Sequence, residues 1–205
     1  IKELDTDEKD IIIDEEDENY FDYIYDLKST SECKGGKYED MRRNIRRFNS
    51  IYGKSISINV YTDWSSIDKY RNDFYRLFDD WTAFNTEGSH SSEDEKRALD
   101  SFFKINRSNA FKKIYLVTLH HNNKMVGYSI SEGVHDDTVI NHFHKANLNM
   151  TGISHYFFYK CSSLLQEKGY KYMNFQDDCG IIGLRSFKKK MRPYFCGKLY
   201  SIRFV

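Results

Sequence analysis

Asn174-Phe-Gln-Asp-Asp178-Cys-Gly180-Ile-Ile-Gly-Leu184-Arg185-Ser-Phe-Lys188, closed by Pro193, is the stretch on which the reading of this chain turns. The segment Lys171 to Phe175 predicts a strand that runs straight into two adjacent carboxylates. A glycine turn follows, then a short helix over 180–190. That helix carries Arg185 and Lys188 at i and i+3, so both cations share one face. A carboxylate at the C-terminal end of a strand, beside a basic helix face, is a place to hold a polar, phosphate-rich or charged substrate.

Working outward, Ile153–Lys168 predicts a long helix stopped by Gly169, and the loop Asn147–Gly152 leads into it from a strand at Thr138–Phe143. Before these, Ile114–His120 and Met125–Glu132 alternate around His121-Asn122-Asn123-Lys124, a β-hairpin. Apolar residues at helical spacing cover 67–84. Ser92-Glu93-Asp94-Glu95 has the form of a capping box opening the next helix, through Leu99, Phe102 and Phe103. Ser57 to Tyr61 alternates as a strand. Met41, Ile45, Phe48 and Tyr52 line one side of an amphipathic helix over 38–52. Tyr20 to Leu27 reads as either helix or extended chain, and 194–205 as one or two strands. The order gives an α/β domain with a mixed, mainly antiparallel sheet flanked by helices, split where the third strand enters the long helix.

A chain of 205 residues with 40% hydrophobic content, 16 Tyr and 15 Phe can bury one ordinary core. One proline and 11 glycines exclude a fibrous or low-complexity chain. With no apolar run near 18 residues and no basic-then-apolar leader, neither a membrane span nor secretion is expected. Cys33, Cys161, Cys179 and Cys196 show no CxxC spacing, so a reduced, cytoplasmic setting and no metal site are expected. The net charge of zero hides an asymmetry: residues 1–22 hold eleven acids against Lys2 and Lys9, leaving the body with 20 acids and 29 bases. Three regions follow. Residues 1–22 form an acidic arm expected to be mobile, with Ile11-Ile12-Ile13 able to dock as a short strand. Residues 23–55 are a basic amphipathic helical lead-in, and 56–205 the α/β domain.

Arg42, Arg43, Arg46 and Arg47 repel one another unless they meet anions, so they are candidate nucleic-acid contacts; the plainer reading pairs them with Glu39, Asp40 or the arm. His142 and Glu132 are candidates for proton transfer, since an attacking amine needs a base near neutrality. Taken singly, a strand histidine is more often a satisfied structural residue.

Three segments resemble a known family when taken in order. Asn174 to Lys188 is similar to the signature Asn-x-x-x-Asp-x-Gly-x-x-Gly-Leu-Arg-x-x-Lys of the phosphatidylglycerol lysyltransferase C-terminal-like (DUF2156) family. Lys37 to Phe48 is similar to its Lys-x-x-x-Arg-Asn-x-Ile-x-x-Phe segment. Gly127 to Glu132 with His142-Phe143-His144-Lys145-Ala146 fits its third pattern. The family lies in the GNAT acyltransferase superfamily, related to the Fem aminoacyltransferases. The resemblance implies a GNAT-like fold for 56–205 and transfer of an aminoacyl group from aminoacyl-tRNA to an amine or hydroxyl of a peptide, small molecule or lipid head group, with no tightly bound cofactor. It implies catalytic roles for Asp178, Glu132 and His142, substrate contacts from Asn174, Lys145, Arg185 and Lys188, and a donor loop of Asn149, Thr151, Gly152 and Ser154. That loop keeps only one glycine of the coenzyme A pattern, so acetyl-CoA is the alternative donor. Gln176 stands where the family often has an acid, and the family's upstream second GNAT unit is not seen in this sequence. A partner unit in trans, peripheral membrane association and a catalytically silent GNAT-fold module that binds RNA or a protein therefore stand as alternatives, with tRNA a possible partner.

Overall fold

The structure is a computed structural model that describes residues 11–84, 89–104 and 113–204, the side chains of 84 and 89–92 apart. Its centre is a seven-stranded sheet in the order β3-β4-β5-β6-β7-β2-β8. These strands are β2 (Asp22–Asp26), β3 (Ile56–Tyr61), β4 (Ile114–His121), β5 (Lys124–Gly133), β6 (Thr138–Ala146), β7 (Tyr172–Asn174) and β8 (Phe195–Gly197). Every neighbouring pair is antiparallel except β6 and β7. The mixed α/β architecture is the one the periodicity predicts.

Helices cover both faces. On one lie α2 (Glu39–Tyr52) and α6 (Ile153–Glu167), where Phe48, Phe157 and Ile153 pack with Val117, Leu119 and Val126. The other carries α3 (Trp64–Lys69), α4 (Arg71–Phe84) and α5 (Ser89–Lys104), whose Ile67, Phe74, Leu77 and Leu99 pack on Leu116, Tyr128 and Ile130. Phe48 is fully buried and stacks on Tyr156 at 4.3 Å, so it is a core residue. Two details differ from expectation. The helical run over 67–84 breaks at Tyr70, whose hydroxyl meets that of Tyr61 at 2.7 Å. Helix α5 already includes Ser89, so Ser92 lies inside it and the capping-box reading fails there.

The N-terminal regions are woven into the body. Within the acidic arm, β1 (Ile11–Glu15) pairs antiparallel with β9 (Tyr200–Phe204); residues 1–10 lie outside the described residues. The expected lead-in contributes β2, which sits between β7 and β8 in the main sheet, and then α1 (Leu27–Glu32) and α2. A strand from the lead-in thus lies among strands of the domain it was expected to precede.

Strands β6 and β7 pair only from Thr138–Ile140 to Tyr172–Asn174 and then part. Chain leaves β7 through the signature loop into α7 (Ile182–Lys190), while β6 continues to Ala146 and turns into α6. Gly152 makes that turn possible. It opens α6 with φ of 83°, and a Cβ there would stand 2.6 Å from the Asn44 carbonyl oxygen of α2. Gly152→Ala therefore adds left-handed strain of about 1–2 kcal/mol to an overpacking cost of about 1–3. At about 2–4 °C per kcal/mol, a fall of roughly 10 °C in melting temperature is expected in a thermal scan. An unchanged melting temperature would mean that α2 and α6 do not approach this closely.

Candidate functional site

The wedge between the parted strands holds a cavity of about 970 Å³. Its walls come from α5 (Glu95, Phe102), the free length of β6 (Asn141–Ala146), the start of α6 (Ser154) and the signature loop with α7 (Gln176, Asp177, Phe187). Open α/β sheets bind ligands at such a divergence of strands, beyond their carboxyl ends.

A β-bulge arms this cavity. The β5–β6 register runs from Ser131 opposite Asn141 to Ile130 opposite Phe143, so His142 is an extra residue between two rungs of the ladder. A bulge re-aims side chains. His142 turns to the face of Glu132, and its Nε2 lies 3.0 Å from Glu132 Oε2. Both are half-buried, and His142 lines the cavity. The pair proposed from sequence is thus brought together, an imidazole oriented by a carboxylate.

Asp178 has a different job from the catalytic one expected. It is completely buried, turned away from the cavity, and accepts hydrogen bonds from Tyr23 Oη at 2.6 Å, from Arg185 Nε and Nη2 at 2.9 Å, and from the Gly180 N–H at 2.9 Å. Burial alone would raise its carboxyl, but the hydrogen bonds from Arg185, Tyr23 and Gly180 outweigh it and hold it below the usual range. A carboxylate with this many donors is an anchor and cannot reach a substrate. Asp177 is the carboxylate that lines the cavity, its Oδ1 accepting from the Cys179 N–H at 2.9 Å.

All three cations named as substrate contacts are also engaged inside the protein. Arg185 is held by Asp178, by Glu18 at 3.1 Å and by Asn19. Buried Lys188 donates to the carbonyls of Phe175 at 2.6 Å, Gln176 at 3.2 Å and Asp177, and burial pushes its ammonium down to about 8. Its three N–H bonds knit the signature loop together. Lys145 lines the cavity, paired with Glu95 of α5 at 2.8 Å and lying 3.5 Å from the centre of the Trp81 ring. Burial lowers its pKa and Glu95 partly offsets this. Asn174 bonds Asp22 at 2.7 Å and accepts from the Gln176 N–H at 2.7 Å. These side chains are all engaged by protein partners, and Lys145 and Lys188 also line the cavity.

The remaining candidates divide. In the donor loop Asn149 and Thr151 are exposed, and Ser154 lines the cavity at the start of α6. Arg42 donates to the carbonyls of Cys33 at 2.6 Å and Gly35 at 2.7 Å, and Arg43 pairs with Asp40. Arg46 and Arg47 are exposed on α2 and form no ion pair among the described residues. Sequence reading missed His144, stacked on Phe157 at 4.8 Å and meeting Phe175 edge-on at 5.2 Å, with both ring nitrogens buried and without a hydrogen-bond partner among the described residues. Burial drives its pKa down to about 3, so it stays neutral. Among the described residues no cluster of three or more His, Cys, Asp or Glu could hold a metal ion.

Residues 7–203 match the family described as phosphatidylglycerol lysyltransferase, C-terminal. The chain belongs to this family. No curated protein matches it. Among solved structures, a conserved protein of unknown function from Bacteroides thetaiotaomicron is 24% identical with a TM-score of 0.75, over 95% of this chain and 62% of that one. L-PGS from Bacillus licheniformis is 16% identical with a TM-score of 0.62, over 95% and 61%. A DUF2156 C-terminal domain from Agrobacterium fabrum is 15% identical, also at 0.62, over 94% and 60%. The chain spans about three fifths of the structures it matches. The fold is that of the GNAT-like lysyltransferase domains, as the signature and the split sheet imply. Among the described residues no helix is long and apolar enough to cross a membrane.

Proposed function

We propose that this chain is an aminoacyltransferase that moves an aminoacyl group from aminoacyl-tRNA to an amine or hydroxyl acceptor in the cavity between β6 and β7. The observation that carries this is His142, projected into that cavity by a bulge and backed by Glu132 at 3.0 Å, in a chain of the lysyltransferase family. The acceptor nitrogen or oxygen attacks the ester carbonyl of the donor. A bond from the acceptor to the acyl carbon forms, and the bond from that carbon to the ribose oxygen breaks. His142 takes the acceptor's proton and returns it to the departing ribose hydroxyl. Glu132 orients the imidazole and stabilises its charged form between the two transfers. Asp177 and the loop locked by Lys188 and Asp178 form the opposite wall. Arg46 and Arg47 are the cations of the original cluster left to meet phosphate.

The test is filter binding of a charged tRNA pool across a salt series, with coenzyme A titrated by calorimetry alongside. Salt-sensitive tRNA binding is expected. The double substitution Arg46→Ala, Arg47→Ala should weaken it and reduce the log–log salt slope by about 1–2, since each phosphate neutralised adds roughly 0.7–0.9 to that slope. Tight coenzyme A binding without tRNA affinity would replace this reading with a coenzyme A-dependent acetyltransferase. Binding of neither would leave only a silent module.

A further inference from the structure

Gln176 holds left-handed backbone, with φ of 56°, without being glycine. Such conformations cost on the order of 1–3 kcal/mol and persist where their surroundings over-determine them. Here its N–H donates to Asn174 Oδ1 at 2.7 Å, and its carbonyl accepts from the Tyr23 N–H at 3.0 Å and from Lys188 Nζ at 3.2 Å. With the backbone fixed, the side chain reaches across the wedge, and its Nε2 donates to the Asn141 carbonyl at 2.6 Å. The last parallel rung pairs Ile140 with Asn174. One residue further along β6, the side-chain amide stands in for the backbone N–H that β7 no longer supplies.

We propose that Gln176 is a positioning residue, a strut that fixes the peptide between Asn141 and His142 and so aims His142 at Glu132 and the cavity. This rests on reading that cavity as the transfer site. The carbonyl held by Gln176 belongs to the peptide whose nitrogen is that of His142. Asn141 is also held from its side chain, Nδ2 donating to Ser129 Oγ at 2.7 Å and Ser131 Oγ at 3.0 Å. His142 is the inserted residue of the bulge and follows directly on Asn141, so its direction is set by how firmly that shared peptide is held. The strut needs an amide. A carboxylate has no proton to donate at neutral pH and would set two oxygens against each other across the same gap. The departure from an acid at this position, which reads in the sequence as erosion of a site, is what supplies the donor.

The experiment compares wild type, Gln176→Ala and Gln176→Glu in three readouts. They are the single-turnover transfer rate and donor affinity, the Asn141 carbonyl ¹³C shift, and the melting temperature against pH. At neutral pH both substitutions should lower the rate at least tenfold with donor affinity unchanged, and both should move the Asn141 carbonyl signal. Below about pH 4, where a glutamate gains its proton, Gln176→Glu should regain the wild-type carbonyl signal and melt above Gln176→Ala. A merely structural glutamine would lower melting without this split between rate and affinity. Wild-type rates in both variants, or an unmoved carbonyl signal, overturn the proposal. If the wild type transfers nothing, the transfer reading falls by itself, and the carbonyl signal with its recovery in acid still decides whether the strut exists.

Discussion

His142→Ala is expected to slow aminoacyl transfer by about 10²–10⁴-fold, the usual contribution of a positioned general base. Donor affinity should be unchanged, because in the proposed mechanism the imidazole acts only on the acceptor's proton. The fold should tolerate the change: the side chain is half-buried, at a bulge that already interrupts the β5–β6 ladder. Glu132→Gln should give a smaller loss in the same direction, since an amide can still orient the ring but cannot stabilise its positive form. Single-turnover rates at saturating donor separate these effects from binding. A full-speed His142→Ala enzyme would remove the base from this mechanism.

Asp178→Ala is expected to destabilise the fold strongly. Removing one member of a buried ion pair costs about 3–5 kcal/mol, because the partner is left without compensation. Arg185 keeps Glu18 and some water, its side chain being 25% exposed, which puts the cost near the lower end, about 3 kcal/mol. A drop of roughly 6–12 °C in melting temperature is expected for a chain of this size. The pH dependence has a definite sign. The folded carboxyl lies below its unfolded value, so its contribution is complete above about pH 4 and is lost as pH falls through the lower folded value. The gap between wild type and Asp178→Ala should therefore narrow in acid and stay constant from about pH 5 upward. A gap that widens in acid would contradict the assignment of Asp178 as an ionised anchor.

Much of the architecture was legible because it rests on local periodicity. The hairpin around Asn122-Asn123 turns through two residues with positive φ, 49° and 64°, as an Asn-Asn turn requires. The stretch 38–52 buries Met41 and Phe48 on the side its apolar spacing marks. Side-chain direction at chain reversals was less legible. The carboxylates of Asp177 and Asp178 look alike in sequence, and the backbone between Gln176 at φ 56° and Gly180 at φ 72° sends one to the cavity and the other into the core.

What selects between them lies far away in the chain. Tyr23, Glu18 and Asn19 come from the segment expected to be a mobile arm or lead-in, and they meet Asp178 and Arg185 across more than 150 residues. No local pattern encodes that meeting. The bulge at His142 was hidden for a related reason. Strict alternation would put His142 and His144 on the same face, and one extra residue instead turns the first toward Glu132 and leaves the second against Phe157. The arginine cluster divides in a way its spacing does not show: Arg43 finds Asp40 and Arg42 two backbone carbonyls, leaving Arg46 and Arg47 outward.

The proposed mechanism has the wedge between β6 and β7 transfer an aminoacyl group with His142 as its base. Its most direct test follows label from a pool of radiolabelled aminoacyl-tRNAs onto a small amine, with wild type and His142→Ala at equal donor occupancy. Label reaching the amine with wild type, and slowed by about a hundredfold or more in the variant, is the expected result. Equal transfer by both proteins, or none by wild type despite bound tRNA, would contradict it.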